Sequence, residues 1–410
     1  MDEGTGNSGI KFQPENEVII MNNFYDSQKT NVIFGKDTHK TVGEEIKKYG
    51  NRCLIVHDGG SYLTKILEDV RASLDASGIS YYELGDVKPN PRLSYCKECI
   101  EKVHQDPVDF ILAVGGGSVM DTAKFIAVQA NMKESLFVNR DIFTPDPVIP
   151  HGVISTLGGT GSEQSLCAMV VDDSLEVPEK VGLYNLGFFF DFAIINPEFA
   201  YTLPPKMMAC GAMDIMSHCW EVYFAPINGN EIMEGYFEAI VKAVLKEGLV
   251  AKEEPTNYDA RANLNLAAIM AMSNTKPAAG EMGDWVCHHM ENPITVTFKR
   301  THGEILSIIT DAWVKYAWKS NPAKFVRWAV NCMGARLYDN QEDTVMEGLR
   351  NLEDWQKRMG LPTRLSDIGI KAEDCKICAE NAMKISGTGK AGAYSGYDVD
   401  MVMEVYKLAE

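Results

Sequence analysis

No stretch of the 410-residue chain approaches the ~18 consecutive apolar residues that a membrane-spanning helix needs. Positive charge is also in short supply: 39 Lys and Arg face 57 Asp and Glu, for a net charge of −18. Duplex nucleic acid and anionic membrane surfaces want clustered basic side chains, so this balance argues against both as partners. The first residues are polar and Gly-rich, with no apolar core of a secretory signal. Residues 1–20 therefore read as a disordered extension. Histidine is scarce, at eight residues, which gives each position weight. Cysteine is not scarce: there are ten, two pairs of them with CxxC spacing, Cys96/Cys99 and Cys375/Cys378. Most of the chain separates those pairs, far beyond zinc-ribbon spacing. They read as reduced structural thiols, and the compartment as a reducing cytoplasm.

The organisation changes once along the chain. Up to about residue 197, short apolar runs alternate with amphipathic ones. Cys53–Val56 reads as a strand, Tyr62–Leu74 as a helix and Ile79–Tyr82 as a strand. Lys88-Pro89-Asn90-Pro91 follows as a loop, then Cys96–His104 as a helix and Asp109–Val114 as a strand. His151–Thr156 and Phe192–Pro197 complete the set. Such alternation predicts an α/β domain with a doubly wound, mostly parallel sheet and helices on both faces. From Pro204 onward nearly every segment carries i, i+3, i+4 apolar spacing, as in Ile232–Leu249 and Ala323–Leu337. The expected division is a nucleotide-binding domain over 21–197 and an all-α domain over 198–410.

Two loops and four side chains carry chemistry. Asp109–Val114 runs into Gly115-Gly116-Gly117-Ser118 and then a helix opening, a place where backbone N–H groups close on a phosphate. It departs from the usual dinucleotide fingerprint, because position 120 is Met where a third glycine belongs. A tight turn with no ligand is the competing reading of the loop alone. A second small-residue loop, Leu157–Glu163, follows the next strand. Further on, Asp214 and His218 share one face of a helix, either as a metal-chelating pair or as a satisfied surface pair. His288 and His302 are fourteen residues apart, about 21 Å on one continuous helix. Pro293 and the Thr301–Gly303 break predict that the first helix stops and the chain turns back, so that the imidazoles converge. One carboxylate and three imidazoles suit Fe(II), Zn(II) or a neighbour in that series. Cys219 and Cys287, each about 100° around its helix from the neighbouring His, read as packing residues.

Together these pieces resemble the iron-containing (group III) alcohol dehydrogenases, and within them the butanol dehydrogenase and broad aldehyde reductase branch. The resemblance runs from Asn22-Asn23-Phe24 and Ile33-Phe34-Gly35-Lys36 to Leu361–Asp367. It is carried by Lys88–Pro91, Gly115–Ser118 with Asp121 and Lys124, Thr160–Glu163, Asn196-Pro197, Asp214-x3-His218, Gly283-Asp284-Trp285-x2-His288 and His302-Gly303. It implies the dehydroquinate synthase-like architecture and a metal held by Asp214, His218, His288 and His302, with Fe2+ usual and Zn2+ used by some relatives. It also implies a nicotinamide dinucleotide along Gly115, Gly116, Gly117, Ser118 and Asp121, with Thr156, Thr160, Asn90 and Lys180 at further contacts. The activity implied is hydride transfer between NAD(H) or NADP(H) and a primary alcohol/aldehyde pair, in a homodimer.

Two departures stand out. Relatives commonly carry His at the position of Asn292, and Asn cannot relay a proton as imidazole does; His289 is the neighbouring candidate, but adjacent helix positions point in different directions. After the strand at 53–56, Asp58 is placed to accept from a ribose 2′-OH and to repel a 2′-phosphate. The Gly59-Gly60-Ser61 loop resembles that of NADP-using relatives, but Tyr62-Leu63-Thr64 after it lack the basic pair often present there, although Lys65 comes next. The reading leans to NAD(H). Two alternatives stand beside it: a zinc-dependent glycerol-dehydrogenase-like or dehydroquinate-synthase-like enzyme, and a non-catalytic nucleotide-binding sensor.

Overall fold

A computed structural model of the chain describes residues 29–139, 147–176, 178–225, 230–273, 283, 285–385 and 398–410. The amino-terminal extension, Asn22–Phe24 and Asp284 lie outside the described residues.

The first half contains β1 (Asn31–Phe34), α1 (Val42–Ile46), β2 (Arg52–His57), α2 (Thr64–Ala76), β3 (Ser80–Leu84), α3 (Leu93–Gln105), β4 (Phe110–Gly115), α4 (Gly117–Gln129), β5 (His151–Ser155), β6 (Cys167–Asp172), β7 (Glu179–Tyr184) and β8 (Phe192–Ile195). Six strands form one sheet in the order β1-β8-β5-β4-β2-β3, with every pairing parallel. The strand period of two sorts the side chains. Leu54, Val56, Ile111, Ala113 and Val153 pack on one face with residues of α3 and α4. Cys53, Ile55, Phe110, Leu112 and Ile154 pack on the other with residues of α1 and α2. A sheet covered on both faces explains why its strands read as continuous apolar runs. The antiparallel pair β6–β7 stands apart as a second, two-stranded sheet that the sequence reading did not contain.

The second half is helical: α5 (Pro205–Tyr223), α6 (Glu231–Glu253), α7 (Tyr258–Ala271), α8 (Val286–Phe298), α9 (His302–Ala317), α10 (Pro322–Asn331), α11 (Gln341–Met359), α12 (Lys376–Ile385) and α13 (Val399–Leu408). Asn and Asp caps set several starts, since their side chains accept from otherwise orphaned N–H groups: Asn257 from Ala260, Asn340 from Glu342, Asp398 from Met401. The helix expected over Ala323–Leu337 ends earlier, at Asn331, three residues before Gly334 takes a positive φ of 69°.

Two features tie the halves to the site. Lys124 on α4 is wholly buried, and its ammonium donates to the Ser162, Ser165 and Cys167 carbonyls and to Ser162 Oγ. Burial lowers its pKa to about 8 against the pull of Asp121. The second feature is backbone contact. A Cβ on Gly159 would come within 3.1 Å of Gly211 Cα on α5, and one on Gly303 within 2.5 Å of the Cys210 carbonyl. The second loop and the start of α9 therefore both press directly on α5.

Candidate functional site

α5 presents Asp214, His218 and Glu221 at i, i+4 and i+7, one face of the helix. α8 brings His288 and Glu291, and α9 opens with His302. The opening of α9 is fixed by a capping box in which Thr301 and Glu304 satisfy each other's backbone N–H groups. Lys206 pairs with Glu304 at 2.6 Å. The turn before it falls at Lys299, with φ 52°. The sequence reading placed the helix stop at Pro293, and this is corrected: α8 runs through Pro293 to Phe298. A proline removes one N–H from the ladder, and here the helix continues past that loss. The expected turn-back occurs about two turns later, and the convergence it was invoked for is present.

All three imidazoles aim Nε2 at one oxygen. His302, His218 and His288 stand 3.3, 3.4 and 3.6 Å from Asp214 Oδ1. The His218 and His288 rings stack, 5.0 Å between centroids, and Trp285 lies edge-on to His288 at 5.2 Å. Asp214, His218 and His288 are buried and offer donor atoms all within 4.8 Å of one another. Four donors at ~2.1 Å from a metal in tetrahedral array would be spaced by about 3.4 Å, which the three distances from Asp214 Oδ1 match. Asp214 Oδ1 and His288 Nε2 are buried with no hydrogen-bond partner among the described residues, an arrangement that a cation satisfies and a neutral core does not. The donor set thus fits a divalent ion of the Fe(II)/Zn(II) kind. Burial alone would lift the Asp214 carboxyl, but the facing His218 and His302 hold it well below the usual range. Burial alone would depress His288, but Asp214 and Glu221 lift it to about 9. In electrostatic terms the cluster draws in positive charge.

Sequence reading missed Glu221 and Glu291. Glu221 Oε1 accepts from His288 Nδ1 at 2.7 Å and from the His288 backbone N–H at 3.0 Å. Glu291 Oε2 lies 2.5 Å from His302 Nδ1, off the straight hydrogen-bond line. The two atoms are close enough for an ion pair, and neither has another partner among the described residues. Helix spacing was the available signal: Glu221 is two turns from Asp214. With 57 acidic residues in the chain, such spacing alone selects little. Cys219 and Cys287 are buried in the helical core, as is Trp313, with Phe298 packed against it.

The nucleotide-side residues gather at the carboxyl ends of the strands. From β2 the chain moves to β3 on one side, then returns to β4 on the other. The topological switch point therefore lies between β2 and β4, where open α/β sheets bind ligands. β2 delivers Asp58 there, and β4 delivers Gly115–Ser118. α4 is buried except at Gly117, Ser118 and Gln129; the Val119 and Met120 N–H groups bond the Gly116 carbonyl, while those of Gly117 and Ser118 open the helix without an intrahelical partner. A Cβ on Gly117 would lie 2.8 Å from Thr160 Cγ2, so only glycine lets the two loops meet. The Asn90 N–H donates to Ser118 Oγ at 3.1 Å, and the Thr156 N–H to the Gly115 carbonyl at 3.2 Å. Asp58 accepts from the Gly60 N–H at 2.8 Å and from the Tyr62 hydroxyl at 2.5 Å, and that hydroxyl also meets Thr156.

Two of the expected contacts sit differently. Asp121 is buried and accepts from Ser162 Oγ at 2.9 Å and from the Met169 N–H at 3.1 Å, so its carboxylate joins α4 to the second loop and β6. Lys180, near-buried on β7, acts electrostatically on both Asp121 and Glu291. Its charge is therefore felt both by the helix after the glycine loop and by the glutamate behind His302.

Comparison with known proteins identifies the family. The family model described as iron-containing alcohol dehydrogenase matches residues 29–197, and that of the Fe-containing alcohol dehydrogenase family, C-terminal, matches 208–409. The chain is 34% identical over 390 residues to NADH-dependent butanol dehydrogenase A of Clostridium acetobutylicum, covering 94% of this chain and 99% of that protein. It is 30% identical to the NADPH-dependent aldehyde reductase of Escherichia coli, covering 95% and 100%. The crystal structure of NADH-dependent butanol dehydrogenase A from Thermotoga maritima superposes with a TM-score of 0.88 at 32% identity, over 95% of this chain and 99% of that one. No helix among the described residues is long and apolar enough to cross a membrane.

Proposed function

The chain belongs to the iron-containing alcohol dehydrogenase family, and from that premise we propose that Asp214, His218, His288 and His302 hold its divalent metal. The enzyme transfers a hydride between a nicotinamide dinucleotide and an alcohol/aldehyde pair. Bound in the cluster, the ion supplies Lewis acidity at the substrate oxygen, while the dinucleotide supplies or takes the hydride. The chain's residues do the placing. The α4 N-terminus and the Gly115–Ser118 backbone hold the pyrophosphate, with Asn90, Thr156, Thr160 and Asp121 shaping the loops around it. Lys180 sets positive charge between cofactor and metal. Asp214 and the three imidazoles come from three helices, so substrate binds where the nucleotide crevice and the helical half meet. We read that meeting as a boundary between domains at 21–197 and 198–410.

The observation that carries the reading is the convergence of three Nε2 atoms on one buried carboxylate oxygen. A nucleotide sensor has no use for it. Aldehyde-dependent oxidation of NADH or NADPH tests the proposal: chelation, Asp214→Ala and His302→Ala should each cut turnover at least ~1,000-fold. Turnover that survives ligand removal would refute it.

NAD(H) is the favoured dinucleotide. Asp58 places a carboxylate at the switch point, and Lys65, the nearest base after it, is engaged with Asp69 at 2.7 Å. Both NADH- and NADPH-dependent relatives exist, so the choice rests on this chain's own residues. A homodimer in a reducing cytoplasm completes the proposal. Its ten cysteines are all thiols, which supports the compartment, and light scattering reads the assembly.

A further inference from the structure

The two buried glutamates behind the histidines have no part in the reading above, yet they occupy related places. Each meets the Nδ1 of a ring whose Nε2 points at Asp214. The service crosses helices: α5 supplies Glu221 to His288 on α8, and α8 supplies Glu291 to His302 on α9. An ionised carboxylate can only accept, so the ring nitrogen facing it carries the hydrogen. A neutral imidazole protonated at Nδ1 keeps its lone pair at Nε2. Each carboxylate is itself anchored. Glu221 also takes the His288 backbone N–H, which fixes both ends of that residue. Glu291 takes the Thr295 hydroxyl one turn along α8 and lies in the field of Lys180. Neither glutamate reaches the convergence point, because its histidine ring stands between.

We propose that Glu221 and Glu291 are positioning residues that lock His288 and His302 in the Nδ1–H tautomer and orientation, so that both present Nε2 lone pairs to a divalent cation. This rests on the reading of Asp214, His218, His288 and His302 as the metal centre. Outer carboxylates of this kind are worth about 10- to 100-fold in metal affinity.

The test titrates chelator-stripped protein with Co2+, following the visible absorption of the bound ion. Glu221→Ala and Glu291→Ala should each weaken binding 10- to 100-fold and change the band shape. Glu221→Gln and Glu291→Gln, which keep a carbonyl acceptor, should recover most of the loss. Ala variants that bind within twofold of wild type with an unchanged spectrum would overturn the inference. Asp214→Ala separates the two layers. If it abolishes binding while the Glu variants do not weaken it, only the positioning role fails; if it too leaves binding intact, the metal-centre reading fails. A second measurement needs no variant. With only eight histidines, 15N-histidine NMR of the Zn2+-loaded protein reads each tautomer, and His288 or His302 protonated at Nε2 would sink the proposal.

Discussion

Asp311→Asn should stabilise the protein more at high pH than at low. Asp311 lies in the middle of α9 and is buried. Its Oδ1 accepts from Gln356 Nε2 of α11 at 3.0 Å, while Asp311 Oδ2 and Gln356 Oε1 have no partner. Two buried acceptors without a donor describe a carboxyl that keeps its proton. Burial pushes its pKa from 3.8 up to about 8, with the Gln356 hydrogen bond pulling back. A raised acid in the folded state means that the native protein retains a proton which the unfolded chain releases. Its contribution to stability therefore falls as pH climbs from about 4 to about 8. Between pH 5.5 and 8.5 the difference amounts to about 3 kcal/mol, at ~1.4 kcal/mol per unit. Unfolding entropy near 2 cal/mol/K per residue turns that into a gain of about 4 °C for a cooperative unit of this size. Asn removes the titration and brings an NH2 group to the orphaned Gln356 oxygen. The assay is the melting temperature of variant minus wild type, by calorimetry, at the two pH values. A difference that stays constant, or shrinks, as pH rises would refute a buried protonated Asp311.

Three further outcomes follow from the site. Wild type should favour NADH over NADPH by more than tenfold in kcat/KM, and Asp58→Ala should narrow that ratio by about tenfold, since a carboxylate repels a 2′-phosphate; a wild-type preference for NADPH would refute the assignment. His289→Ala should keep turnover within about twofold and leave the pH–rate profile in place. Burial lowers its pKa, and its helix position directs it away from His288; a large loss would put it on a proton relay beside Asn292. Gly117→Ala drives a methyl to within 2.8 Å of Thr160 and should raise the KM for dinucleotide about tenfold with little change in metal content.

The parts of the fold that read clearly in the sequence are those buried on two sides. Cys53–Val56 and Asp109–Val114 are continuous apolar runs because helices cover both faces of their sheet. β1 is mostly exposed, and β6–β7 mixes buried and half-buried positions, so neither carries a strong period. The four metal-type residues were legible because imidazole is rare in this chain. Glu221 and Glu291 were not, because carboxylates are its commonest charge and their role depends on a partner from another helix. Asp121 shows a further limit: its place beside the glycine loop was readable, while its commitment to Ser162 and Met169 depends on how the second loop folds over α4.

The glycine contacts on α5 have a mechanical consequence. Gly159 against Gly211 and Gly303 against Cys210 are meetings of backbone with backbone, and no side chain lies between to flex or repack. One rod therefore sets the offset of both the second nucleotide-side loop and the third imidazole, one helical turn ahead of the carboxylate they converge on. Moving the second loop or the start of α9 off that rod would break these backbone contacts, so the stagger between them is held as a tolerance of the main chain. Change in the substrate pocket can then come from its outer walls without resetting the gap the hydride crosses.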